Sequence, residues 1–182
     1  MTNLFLDTEW ADAEGSELVS LALVSEDGLH VFYAERDPLP DTKPTDFVCY
    51  VVYPLLERGV AALSDAAMTT ALRRFLANVP APCVLADYQN DFNLLRHALA
   101  GFELPDVEAA ACGPIPTVEA RLLRGGLTWM VLEDWFEAHP DQAKRRHHAL
   151  VDAQALRMAC LAATRQVEAP WSPTLALGRA SP

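Results

Sequence analysis

Several common features are missing from this chain of 182 residues. No stretch is long and apolar enough to span a bilayer, and Met1-Thr2-Asn3 lacks the positive start of a secretory signal. The expectation is therefore a soluble, cytoplasmic protein with no membrane partner. Cys49, Cys83, Cys112 and Cys160 are widely scattered, with no C-x-x-C pair and no histidine cluster at zinc-finger spacing. That excludes a cysteine-based zinc module and predicts reduced, partly buried thiols. No internal repeat is visible, which excludes a solenoid. Basic residues are also scarce: 14 Lys and Arg face 25 Asp and Glu, for a formal net charge of −11. Such a balance argues against tight, non-specific binding to long duplexes, which draws on a basic surface.

What is present suffices for one domain. A 51% hydrophobic chain of this length can bury a substantial core but is too short for two domains. Residues 4–9, 18–24 and 30–34 read as an antiparallel three-strand meander, separated by Glu14-Gly15-Ser16 and Glu26-Asp27-Gly28. Residues 36–44 form a Pro- and Asp-rich loop, and the aromatic-aliphatic pattern of 45–57 is compatible with a short helix after it. Ser64 or Asp65 caps a helix through Leu76, with Met68, Leu72, Phe75 and Leu76 at helical spacing.

From Pro82 the pattern changes to alternation of strand and helix. A buried strand at 82–86 leads to a helix over 91–100, a loop-like, Ala-rich stretch at 105–116 that has room for another strand, a helix over 128–138, and a final helix from about Arg146 to Arg165. Residues 167–182 read as a Pro-containing tail behind a domain over 1–166, with order expected to end near Trp171. A meander followed by β-α alternation predicts an α/β fold with a mixed sheet flanked by helices.

The chemistry starts at Leu4-Phe5-Leu6-Asp7-Thr8-Glu9-Trp10. Side chains alternate along a strand, so Asp7 and Glu9 share a face, and two carboxylates there repel each other unless a cation lies between them. The plainer alternative is an exposed strand end. Asp91 follows a buried strand at the start of a helix, where the dipole favours an acid; it can reach a metal at the sheet's end or simply cap the helix. In His147-His148-Ala149-Leu150-Val151-Asp152, a helix beginning near Leu150 leaves His147 in the preceding loop, leaning over a site that Asp152 faces from the first turns. The alternative is an amphipathic helix with a basic, solvated start.

The distribution of charge softens the objection to a nucleic-acid partner. Residues 1–65 hold 13 acids against Arg36, Lys43 and Arg58, a net of −10, and the remainder is nearly neutral at −1. Acids that bind metal no longer repel a phosphate, so a short or single-stranded nucleic acid is permitted.

Together these segments resemble the DEDDh 3′–5′ exonucleases of the ribonuclease H-like superfamily, in look the small bacterial 3′–5′ exoribonuclease-like proteins in particular. Asp7-Thr8-Glu9 matches the first motif, Asp91-Phe92-Asn93-Leu94-Leu95 the second, and His147 with Asp152 the third, in the right order over residues 4 to about 163. The resemblance implies a ribonuclease H-like mixed sheet. It also implies that Asp7, Glu9, Asp91 and Asp152 hold two divalent cations, Mg²⁺ or Mn²⁺, about 4 Å apart. His147 would be the general base, preferred over His148, which reads as a surface residue. The activity implied is removal of nucleoside 5′-monophosphates from a 3′ end, RNA favoured, with homodimerisation left open as in many relatives. A single-stranded DNA exonuclease and a catalytically silent interaction module on the same fold are the alternatives.

There are departures from the family pattern. Trp10-Ala11 replaces the usual Thr-Gly after the first Glu, and Asp87-Tyr88 stands where relatives place His or Asn, which makes Asp87 a further acid to watch. The candidate substrate contacts are Trp10, Thr8 and Arg146. Trp10 either stacks on the terminal base, a contact worth roughly 1–3 kcal/mol, or packs under the sheet. Arg121, Arg124, Lys144 and Arg145 join Arg146 as candidate phosphate contacts, with a solvated face as the alternative.

Overall fold

A computed structural model describes residues 1–177. The chain opens with β1 (Thr2–Trp10), β2 (Leu18–Ser25) and β3 (Val31–Arg36), antiparallel as expected. Gly15 and Gly28 make the two turns at φ +74° and +76°, a left-handed conformation that side chains with a Cβ rarely adopt. After a loop come β4 (Ala62–Leu63), α1 (Asp65–Ala77), β5 (Pro82–Ala86), α2 (Gln89–Ala100), α3 (Asp106–Ala111), β6 (Glu119–Leu122), α4 (Gly126–Ala138), α5 (Pro140–Ala143), α6 (Ala149–Ala163) and α7 (Pro173–Leu177). The six strands form one sheet in the order β4-β3-β2-β1-β5-β6, in which β4, β5 and β6 pair parallel with their neighbours. This is an α/β fold with a mixed sheet flanked by helices, consistent with a ribonuclease H-like layout.

Alternation along β1 sorts the core onto two faces. Leu4 and Leu6 pack with Met68 and Leu72 of α1 and with Phe92 and Leu95 of α2. Phe5 points the other way, onto Leu156 of α6 with Cys83 and Leu85. Each such leucine, fully buried, contributes about 1.5–3 kcal/mol. Asp7 and Glu9 continue the row of Phe5 and therefore stand on the face that α6 covers. No helix among the described residues is long and apolar enough to cross a membrane. The four cysteines are free thiols, Cys83 and Cys112 buried and the other two half-buried.

Several local expectations need correction. Residues 45–57 do hold a short helix after the loop, of an irregular kind: a π-helix, Val48–Val52, running into a 3-10 helix, Tyr53–Leu55. The stretch from 105 to 116 contains the helix α3, consistent with the helix propensity of its alanines, and the extra strand β6 comes after it. β6 is a short, exposed edge strand with no apolar alternation to betray it. The final helix starts at Ala149, not near Arg146. The tail is ordered past Trp171: Pro173 opens α7, the Asp134 carboxylate accepts from the Ser172 hydroxyl and the Thr174 N–H, and Trp171 and Leu175 pack on the α4–α6 cluster. Residues 178–182 lie outside the described residues.

Candidate functional site

The carboxyl end of central strand β1 carries Asp7, Thr8 and Glu9. Pairing slips between Glu9, opposite Ser20, and Trp10, opposite Leu18, a bulge that re-aims the strand end. Neighbouring β5 runs into Asp87 and Tyr88, the latter at the N-cap of α2, so Asp91 sits in the first turn and is not the cap. On the opposite face α6 brings Asp152 in its first turn, preceded by His147 and by His148 at the N-cap. Asp7, Glu9, Asp87, Asp91, His147 and Asp152 all line one open cavity of about 510 Å³.

Five carboxylates crowd this cavity, Glu9 and Asp91 buried and Asp7, Asp87 and Asp152 half-buried, and cannot all stay charged at ordinary cost. Burial, then Asp152, Glu9, Asp91 and Asp87 in turn, raise Asp7 well above the usual carboxylate range. Burial, helped by Asp152 and Asp91, pushes Glu9 up to about 9. Asp91 rises to about 7 by burial, opposed by the Thr8 hydroxyl, which donates to its Oδ1 at 2.6 Å. Asp152 rises to about 7 for the same first reason, opposed by the His147 N–H, which donates to Oδ2 at 2.9 Å, and by Arg146. Burial also raises Asp87.

The donor set fits a divalent cation. Asp7 Oδ2 and Asp152 Oδ1 are buried with no hydrogen-bond partner among the described residues, and the Glu9 carboxylate beside them is 9% exposed. Buried polar atoms are rarely left alone, and hard oxygen donors of this kind suit Mg²⁺ or Mn²⁺. One ligand atom each of Glu9, His147 and Asp152 lie within 4.8 Å of one another.

His147 has φ +73°, uncommon outside glycine, and its ring meets the Phe47 ring edge-on at 4.8 Å. Burial, then Arg146, hold its pKa below the ordinary histidine value. His148 is turned away and is no surface residue: it is 2% exposed, stacked on Tyr33 at 4.7 Å, with Nε2 3.4 Å from a Glu57 carboxylate oxygen. The physical reason is the register of α6, whose N-cap sits against β2 and β3.

The candidate substrate contacts fare differently. Trp10 is half-buried, packs on the main core, lines the cavity and stacks on Tyr88 at 5.9 Å. The Thr8 hydroxyl is engaged by Asp91. Arg146 borders the cavity, but its guanidinium is held by both Glu133 oxygens, at 2.8 and 2.6 Å, and lies over the Phe136 ring. Lys144 and Arg145 pair with Asp141 and Glu57, while Arg121 lies on exposed β6; none of them, nor Arg124, lines the cavity. Sequence reasoning missed Phe47, Tyr88 and Trp129 on its walls. Tyr88 carried a faint signal, an aromatic beside an acid-bearing helix start; Phe47 and Trp129 carried none, because only the fold brings them there.

Comparison with known protein families and with curated proteins finds no match to this chain.

Proposed function

We propose that this protein is a metal-dependent, DEDDh-type 3′–5′ exonuclease that hydrolyses single-stranded or short nucleic acid in the cytoplasm, releasing nucleoside 5′-monophosphates. One observation carries the reading: the three sequence motifs, from separate elements, converge on a single open cavity with orphaned carboxylate oxygens. RNA is favoured over DNA on the family resemblance alone.

In this reading Asp7, Glu9, Asp91 and Asp152 would hold two divalent ions, Mg²⁺ or Mn²⁺. When bound, such ions offset the charge of the carboxylates and of the scissile phosphate. The protein's own groups do the rest. His147, kept neutral by burial and by Arg146, has a ring nitrogen ready to take the proton of an attacking water. Its backbone N–H, bonded to Asp152, ties the base to the carboxylate it must work beside. Thr8 fixes the Asp91 carboxylate through its hydroxyl. The exposed Tyr88 ring, backed by Trp10, offers a flat surface for an unpaired base.

The test uses RNA and DNA oligonucleotides labelled at either end, incubated with Mg²⁺ or Mn²⁺ and with wild type, Asp7→Ala or His147→Ala. The expected result is metal-dependent loss of the 3′ label by wild type and little or none by either variant. Release from the 5′ end, internal cuts, or full activity in Asp7→Ala would each overturn the reading. Binding of oligonucleotides with no cleavage under any metal would instead indicate a silent interaction module.

A further inference from the structure

We propose that Glu9, His147 and Asp152 form a binding site for a nitrogen-preferring transition ion, foremost Zn²⁺, whose occupation withdraws His147 from the cavity's chemistry. The site goes beyond an all-oxygen Mg²⁺ or Mn²⁺ centre, because it enlists the imidazole as a ligand. Imidazole in a donor set shifts preference from hard ions toward Zn²⁺, Co²⁺ and Ni²⁺.

Each of the three side chains offers the cluster a ligand atom. Glu9 is 9% exposed, and one of its carboxylate oxygens belongs to the cluster. Asp152 has one oxygen buried and unpartnered, while the other accepts the His147 N–H at 2.9 Å. That bond fixes the free oxygen of Asp152 relative to the backbone that carries the imidazole. The left-handed conformation of His147 and the edge-on contact with Phe47 direct the ring over the cavity. His148 is removed from competition by its stack on Tyr33.

The three ligand atoms lie within 4.8 Å of one another. Donors on a tetrahedral Zn²⁺, about 2.0–2.1 Å from the ion, stand roughly 3.4 Å apart, so the set draws together on binding. His147 sits in a turn ahead of α6, whereas Glu9 and Asp152 are held on a strand and a helix, so closing the set falls to rotation of the three side chains. Three protein ligands leave a fourth position open.

The binding site stands on the geometry of these residues; only its inhibitory consequence rests on the nuclease reading. The experiment titrates metal-free protein with Zn²⁺ by calorimetry and with Co²⁺ as a spectroscopic probe, for wild type and His147→Gln. Wild type is expected to bind one Zn²⁺ and to give the strong visible bands of four-coordinate Co²⁺. His147→Gln is expected to bind Zn²⁺ at least roughly tenfold more weakly, the scale on which even an outer-shell partner matters. Its thermal stabilisation by Mg²⁺ should match wild type, which reports an intact fold and acid cluster. On wild type alone, Zn²⁺ should shift the His147 ring nitrogen resonances. Equal Zn²⁺ affinity in the variant, or unmoved ring resonances, would overturn the proposal. With an active nuclease, stoichiometric Zn²⁺ should abolish Mg²⁺-supported release; if wild type cleaves with no metal at all, the nuclease reading fails while the binding result stands.

Discussion

Metal-free protein should become more stable as the pH falls toward neutrality, the reverse of the usual response of a carboxylate-rich fold. Glu9 is pushed up to about 9, Asp91 and Asp152 to about 7, and Asp7 well above its ordinary range, all chiefly by burial. In the unfolded chain these groups return to about 4. Between about pH 4 and about pH 9 the folded state therefore holds more protons than the unfolded one, so stability falls as pH rises through that window. His147 and His148, both held below the ordinary histidine value, act the other way only under about pH 6.5, which leaves the range above it clean. One extra bound proton is worth about 1.36 kcal/mol per pH unit, so going from about pH 8.5 to about pH 7 gains about 2 kcal/mol. For a chain of this size that is roughly 4–8 °C in Tm. Calorimetric melts in chelator at several pH values measure it directly. Mn²⁺ at a hundredfold excess over its Kd should restore about 2.7 kcal/mol at about pH 8.5. Asp7→Asn, which removes the carboxylate facing the other four, should raise the metal-free Tm at that pH, flatten the slope and blunt the Mn²⁺ response. A metal-free Tm that is flat or rises from about pH 7 to pH 8.5 would refute the argument that burial and mutual repulsion raise these acids.

Other perturbations probe single contacts. Thr8→Val leaves the buried Asp91 carboxylate without its hydroxyl donor and should cost about 1–3 kcal/mol in chelator, with 3′-label release reduced; Thr8→Ser should recover most of both. His148→Ala empties a fully buried site against Tyr33 and should cost about 2–4 kcal/mol in denaturant unfolding, and a loss under about 1 kcal/mol would contradict its burial. Arg146→Ala breaks a half-exposed pair with Glu133 and should cost under about 1 kcal/mol, seen as a drop of less than roughly 4 °C in Tm.

Much of the molecule follows from local sequence. The sorting of Leu4 and Leu6 onto one face of β1 and Phe5 onto the other, the turn glycines Gly15 and Gly28, the Ser64 cap whose hydroxyl accepts from Ala67, and the apolar stripe of α1 are written in neighbouring residues, because strand alternation and helix capping are short-range effects. The same holds for Asp7 beside Glu9 and for His147 five residues before Asp152. Tertiary structure alone decided the rest. β6 has no apolar pattern and exists because β5 offers it an edge; α7 exists because Asp134, Trp171 and Leu175 anchor it on α4 and α6. His148 and His147 are adjacent in sequence yet face opposite environments, one against Tyr33 and one over the cavity, and the packing of α6 on β1 and β2 settles which is which. Arg146, legible only as a cation, becomes the partner of Glu133 once α4 lies alongside. Residue types carry the chemistry, but the burial that lifts Glu9 to about 9 and leaves Asp7 Oδ2 and Asp152 Oδ1 without partners among the described residues is a property of the assembled fold.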